Sequence, residues 1–127
     1  FEKGQSNMQN DCALFRLADI YLMKAECLVR LDKDNEEATR LVNEIRKRGF
    51  PDQPDKLKES VTLNDIYLER RFELAWEDFN RQDMIRFGTF CDPIEGWRGE
   101  LPEYRKIFPI PQVAIDANPS LIQNPGY

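Results

Sequence analysis

Between Leu63 and Phe79 the apolar residues fall into two sets at helical spacing: Leu63, Ile66, Tyr67 and Leu74 on one side, Leu68, Phe72, Ala75, Trp76 and Phe79 on the other. A helix lying on a surface needs one apolar stripe, whereas two stripes call for neighbours on both sides. The chain is therefore expected to fold as a stack of helices, with Trp76 mid-helix and in the core. Thr62 supplies an N-cap, and Asp65, three residues on, is a short capping-box partner. The helical run is expected over about 62–88. A bend near Asn80 opens a short second helix, Arg81 to Phe87, which Gly88 stops.

Upstream, Leu14, Leu17, Ala18, Tyr21, Ala25 and Leu28 keep to one face of a helix placed at about Cys12 to Leu31. Cys27 is read as a small buried hydrophobe on that helix. Asp32 to Asn35 breaks the pattern. Asp34 then caps a second helix, with Glu37 at the capping-box position and Ala38, Leu41, Val42 and Ile45 as its stripe. Gly49 is suited to a left-handed cap, and Pro51 forbids continuation. The resulting hairpin, about 12–49, has the size of a tetratricopeptide-like (TPR-like) unit of roughly 35 residues. Ala25 and Ala38 are small enough to let its two helices approach closely.

The rest is punctuated by proline and glycine. Residues 1–11 lack a period, 50–61 form a linker around Pro51 and Pro54, and 89–103 read as a loop. Tyr104 to Phe108 is expected to be extended. Residues before proline in Phe108-Pro109-Ile110-Pro111 are pushed out of the helical region. Pro111 opens a short helix through Ala117, Asn118-Pro119 ends it, and Asn124-Pro125-Gly126 is a turn signal. Sustained alternation is absent, so little or no sheet is expected, and the fold class is all-α with a long proline-rich C-terminal tail.

A length of 127 residues fits one small domain or a piece of a larger one, and 41% hydrophobic residues suffice for a modest core. The net charge of −5, with both signs interspersed, argues against a nucleic-acid partner. Arg46-Lys47-Arg48 sits in a last helical turn, where positive charge complements the helix dipole. No apolar run approaches the ~20 residues of a membrane span, and Phe1 to Gly4 does not open a secretory signal. The three cysteines show no metal spacing. A Cys12–Cys27 bridge within one helix fails on distance, because ~15 helical residues span ~22 Å. Asp32, Asp34 and Glu36 mimic the start of a calcium loop, yet Glu37 stands where glycine is required and Asn43 where glutamate is. With no histidine, neither a Ser-His nor a Cys-His nucleophile can be assembled. No catalytic residue, metal or cofactor is expected.

Two constellations remain. Glu69, Glu73 and Glu77 recur every four residues and would line one helix face, where they repel unless cations lie opposite. Arg70, Arg81, Arg86 and Arg16 are the available cations, and with Asp83 they form an expected structural ion network orienting the helices. A glycosidase acid/base pair is the sharper alternative, but it needs carboxylates facing across a cleft rather than strung along one helix. The second constellation is Trp97 with Arg98, flanked by Gly96 and Gly99. An exposed indole offers a flat apolar face to a pyranose, and loops carry binding residues disproportionately. The competing reading folds Trp97 onto the core or against a partner protein.

The segment ERRFELAWEDFNRQDMIRFG, 69–88, resembles a pattern of the SusD/RagB family, ER-x-x-EL-x-x-E-G-x-R-x-x-DL-x-R. Glu69, Arg70, Glu73, Leu74, Glu77, Asp83 and Arg86 match it. Met84 replaces leucine, Asp78 stands where glycine is common, and Asn80 stands where arginine is, with Arg81 next. The ending FPIPQVAIDANPSLIQNPGY and the segment RLADIYLMKAEC are similar to family segments as well. The resemblance covers nearly all of 13–127. It implies the C-terminal, TPR-like portion of a glycan-capturing lipoprotein of Bacteroidetes outer membranes, its signal and lipid anchor lying outside this chain. It further implies a non-catalytic protein at the cell surface that delivers an oligosaccharide to a SusC-like TonB-dependent transporter. A free-standing helical-repeat adaptor for protein partners is the alternative, disfavoured by the proline-rich tail.

Overall fold

The computed structural model describes residues 14–127, so the expected start of the first helix at Cys12 lies outside the described residues. Five α-helices follow in order: α1 Leu17–Arg30, α2 Asn35–Gly49, α3 Leu63–Glu73, α4 Phe79–Arg86 and α5 Gln112–Ala117. Short 3-10 turns occupy Pro54–Lys56 and Glu103–Lys106. Among the described residues the extended pairing is a single bridge between Ile94 and Arg98, so the fold is all-α. The backbone divides into two compact units, one ending at Ala75 and one running from Trp76 to Tyr127.

In the first unit the four residues 31–34 turn α1 back against α2. The turn is a Schellman motif: Lys33 N–H donates to the Leu28 carbonyl and Asp32 N–H to that of Val29, with Asp32 at φ 48°. Asp34 accepts from the Glu37 amide, as its position implies. Glu37 does not return the bond; its carboxylate is held instead by Lys24 and Arg40. Gly49 closes α2, and the left-handed residue after it is Asp52, because Phe50 still bonds back to Arg46 before the chain turns.

The core is Ala18, Leu22, Ala25, Ala38, Leu41, Val42, Ile45, Val61 and Ile66. Ala25 and Ala38 are both fully buried, which suits small side chains at a close helix contact. Each leucine, isoleucine or valine so buried contributes about 1.5–3 kcal/mol relative to exposure. The linker is fastened to α2 by the Asn43 side-chain amide, which donates to the Lys58 carbonyl and accepts from the Lys58 N–H. Thr62 and Asp65 close a full capping box on α3.

Two expectations change. The inward face of α1 is rotated from the apolar spacing: Leu14, Leu17 and Cys27 are exposed, while Asp19, Leu22 and Glu26 are buried. An acid on that face has a buried arginine to meet, as shown below, and this outweighs apolar periodicity. Second, the short helix expected after a bend near Asn80 begins already at Phe79, and the run over 62–88 is interrupted before it. The run breaks at 74–78, where Trp76 and Asp78 take left-handed φ values of 68° and 63°. α3 therefore ends before its second apolar set is complete. Phe72 is exposed, and Trp76 at 102% relative exposure is at the surface rather than in the core.

In the second unit α4 ends in a further Schellman motif, with Gly88 at φ 78° and Thr89 N–H bonding the Met84 carbonyl. Tyr104 lies in a 3-10 turn, and extension begins only at Ile107. The segment 107–110 is held to 123–127 by side chains. Gln123 pairs with both backbone groups of Ile110, Asn124 donates to Phe108, and the Tyr127 hydroxyl donates to Ile107. Gly126, at φ 97°, sits so close to Tyr104 that a Cβ there would lie 2.5 Å from the ring's Cγ.

Candidate functional site

α3 is short, and its acids and its arginine reach both other helices of the unit. Arg70 Nη1 donates to Asp19 Oδ1 on α1 at 2.7 Å, with the two side chains 3% and 4% exposed. Glu69 Oε2 accepts from Arg46 of α2 at 2.6 Å. Glu73 Oε1 accepts from Arg16 at 2.9 Å and also from Arg48, while Arg16 donates a second bond to the Glu73 carbonyl. Burial pushes the Glu73 carboxyl up, but the hydrogen bonds from Arg48 and Arg16 outweigh it and hold the group below the ordinary carboxylate range. Arg46 and Arg48 thus do more than complement a dipole. Their partners lie 23 and 25 positions away, beyond the reach of helical spacing. Asp19 carried one signal: an acid among apolar residues on a helix.

Glu77 lies past the end of α3, so the every-four spacing does not put it on the face of Glu69 and Glu73. Asp83 is buried on α4 and accepts from Arg86 at 2.9 Å. Arg81 donates to the Arg105 carbonyl at 2.8 Å and lies between two rings, 4.6 Å from the centroid of Phe90 and 4.1 Å from that of Phe108. Carbonyl dipoles and ring faces hold this guanidinium.

Trp97 and Arg98 sit in a tight hairpin. Ile94 and Arg98 exchange both backbone bonds, Trp97 N–H closes a turn onto the Ile94 carbonyl, and Gly96 at φ 72° provides the left-handed residue. Trp97 is thrown outward, 76% exposed. Arg98 packs inward, its Nη2 donating to the Phe90 carbonyl at 2.6 Å while Nη1 is buried without an acceptor. Its guanidinium carbon is 5.8 Å from the Trp97 ring and 5.7 Å from Phe90. Trp97, Arg98, Phe90, Arg81 and Phe108 consequently form one alternating ladder of rings and guanidiniums. Each rung is worth about 0.5–2 kcal/mol. Sequence reasoning singled out the Trp97 end and missed Phe90 and Phe108, which are brought in only by the turns at Gly88 and at Glu103–Lys106.

The ladder can offer a rigid aromatic face to a ligand, and it lacks an opposed pair of acids. Among the described residues no group of three or more Cys, Asp or Glu side chains is placed to hold a metal, and no helix is long and apolar enough to cross a membrane.

Comparison with known proteins gives consistent matches. Residues 2–100 match the model of the SusD family. A SusD-like protein of Formosa agariphila is 33% identical over 95% of this chain and 26% of its own length. The starch-binding protein SusD of Bacteroides thetaiotaomicron is 34% identical over 92% of this chain and 22% of its own. Among solved structures, surface glycan-binding protein A from Bacteroides thetaiotaomicron superposes with a TM-score of 0.76 at 29% identity, over 95% of this chain and 26% of that one. Its namesake from Bacteroides uniformis gives 0.74 at 27%, over 91% and 28%. The chain spans about a quarter of the length of each.

Proposed function

The chain belongs to the SusD family, and from that premise we propose that it is the C-terminal, TPR-like portion of a non-catalytic glycan-binding protein of the bacterial cell surface. In this reading the protein is anchored to the outer membrane by a lipid carried elsewhere in the polypeptide. It hands a captured oligosaccharide to a SusC-like TonB-dependent transporter. The observation that carries the proposal is the outward indole of Trp97, held on a five-residue hairpin and backed by Arg98, which lies in turn against Phe90. A ring fixed before the ligand arrives loses little entropy on binding, which suits stacking against a sugar. The names of the relatives, starch-binding and surface glycan-binding, support the ligand class.

The α3 acids are engaged by arginines, which leaves them a scaffolding task. The outward residues Ile20 and Met23 of α1, with Leu31 just after it, are the surface offered to a protein partner, the transporter included. Titration of the intact protein against starch, plant and host oligosaccharides tests the reading. Binding that falls about tenfold in Trp97→Ala is expected, with the melting temperature lowered only by the few degrees that losing the Arg98 contact costs. Silence across the panel, together with binding of an apolar peptide, would replace it with a helical-repeat adaptor.

A further inference from the structure

The ladder has a second exposed end. Phe108 is covered on one side by Arg81 and is otherwise 69% exposed. It borders an open groove of about 330 Å³ lined by Asp78, Arg81, Gln82, Ile85, Arg86 and Phe108. That volume is at the small end of ligand sites and suits a single ring rather than a chain. The polar groups of the groove are of two kinds. Arg81 and Arg86 are committed, to the Arg105 carbonyl and to Asp83 respectively. Asp78 and Gln82 are exposed and have no side-chain hydrogen bond among the described residues. A carboxylate and an amide lining the same groove as Phe108 and Ile85 provide acceptors and donors for neighbouring hydroxyls.

The backbone adds a separate argument. Asp78 holds φ 63°, a left-handed conformation that glycine adopts without penalty and that aspartate, though it accepts it more readily than most L residues, adopts at some cost. Residues kept in such conformations cluster at ligand sites, where the strain is retained for what the side chain does. Here it places a free carboxylate at the lip of the groove.

We propose that the groove between Asp78, Gln82 and Phe108 is a second sugar subsite, taking one neutral pyranose of the glycan whose other contact is Trp97. The inference rests on the glycan-binding reading above. Neutrality follows from charge: the buried Asp83 compensates Arg86, and Asp78 balances Arg81, so no net field favours a uronic acid. Two ring contacts joined by one ladder also make the second an intramolecular event, raising affinity for oligomers over monomers.

Calorimetric titration of the intact protein with maltoheptaose and with neutral oligomers of xylose, mannose and galactose tests this, using the tightest binder of the wild type. Asp78→Gly is expected to weaken that oligomer about tenfold while raising the melting temperature, since it removes ligand contacts and strain together. Gln82→Ala is expected to weaken it several-fold with the melting temperature unchanged. A purely structural Asp78 would move stability alone. Wild-type affinity in both variants, alongside loss of binding in Trp97→Ala, would eliminate the groove and leave the surface-binding reading standing. Preference for uronic-acid oligomers over all neutral ones, strengthened by Asp78→Gly, would overturn the neutral-sugar assignment. No binding of any oligomer by the wild type would overturn both readings.

Discussion

Replacing Asp19 with alanine should be the most damaging single change in the helical unit. Its carboxylate meets Arg70 at 2.7 Å, and both side chains are almost wholly removed from solvent. A buried pair contributes little net stability, because desolvation offsets the attraction. Removing one partner leaves the other charge buried and costs about 3–5 kcal/mol. Domain stability is roughly 0.05–0.15 kcal/mol per residue, so a unit of this size holds only several kcal/mol in all. At about 4–8 °C per kcal/mol for a small domain, the midpoint should fall by roughly 15–30 °C. Thermal unfolding of the chain, followed by far-ultraviolet circular dichroism, measures this directly, and urea unfolding gives the cost in kcal/mol. The double variant Asp19→Leu with Arg70→Met removes both charges and should recover most of the loss. A cost below ~1 kcal/mol in Asp19→Ala would equal that of a surface pair and would refute the argument. So would a double variant as unstable as the single one.

Glu73→Ala removes the acceptor shared by Arg16 and Arg48, and should cost about 2 kcal/mol of stability with glycan affinity per folded molecule unchanged. A folded variant that loses only affinity would contradict the scaffolding role. Asp65 is held at about 2, chiefly by Lys58 and then by Thr62, against an ordinary 3.8. A depressed folded value means stability present above the ordinary range and lost as pH falls from about 5 toward 2. Urea midpoints should drop over that window, and Asp65→Asn should flatten the drop; an equal slope in both proteins counts against it. Gly126→Ala places a methyl into Tyr104 at a left-handed position and should cost about 1–2 kcal/mol locally. Faster hydrogen exchange at the Ile110 amide, which Gln123 secures, would register it.

Local chemistry was the legible part of this fold. The caps at Asp34 and Thr62, the stop at Gly88 and the turn at Asn124 each depend on residues within five positions of one another. The arginine clasps depend on pairs separated by 23 to 57 positions, which no spacing rule encodes. The break at 74–78 was hidden for a different reason. Leu74 to Asp78 contains no proline or glycine, and two of its residues accept left-handed backbone against their own preference. Trp76 was misplaced as a result, since a residue's face on a helix means nothing once the helix has ended. At the candidate site, glycines around Trp97 announced an exposed ring. Phe90 and Phe108 gave no such sign, because their role comes from the guanidiniums that fall between them.

The exposure of both indoles has a spectroscopic consequence. Trp76 and Trp97 are the two tryptophans of the chain, and both already face water in the folded state. Their emission should therefore sit near its red limit before denaturant is added, and barely move as the helices melt. A blue shift on adding sugar would then be unmasked by any folding signal, turning intrinsic fluorescence into a reporter of occupancy alone.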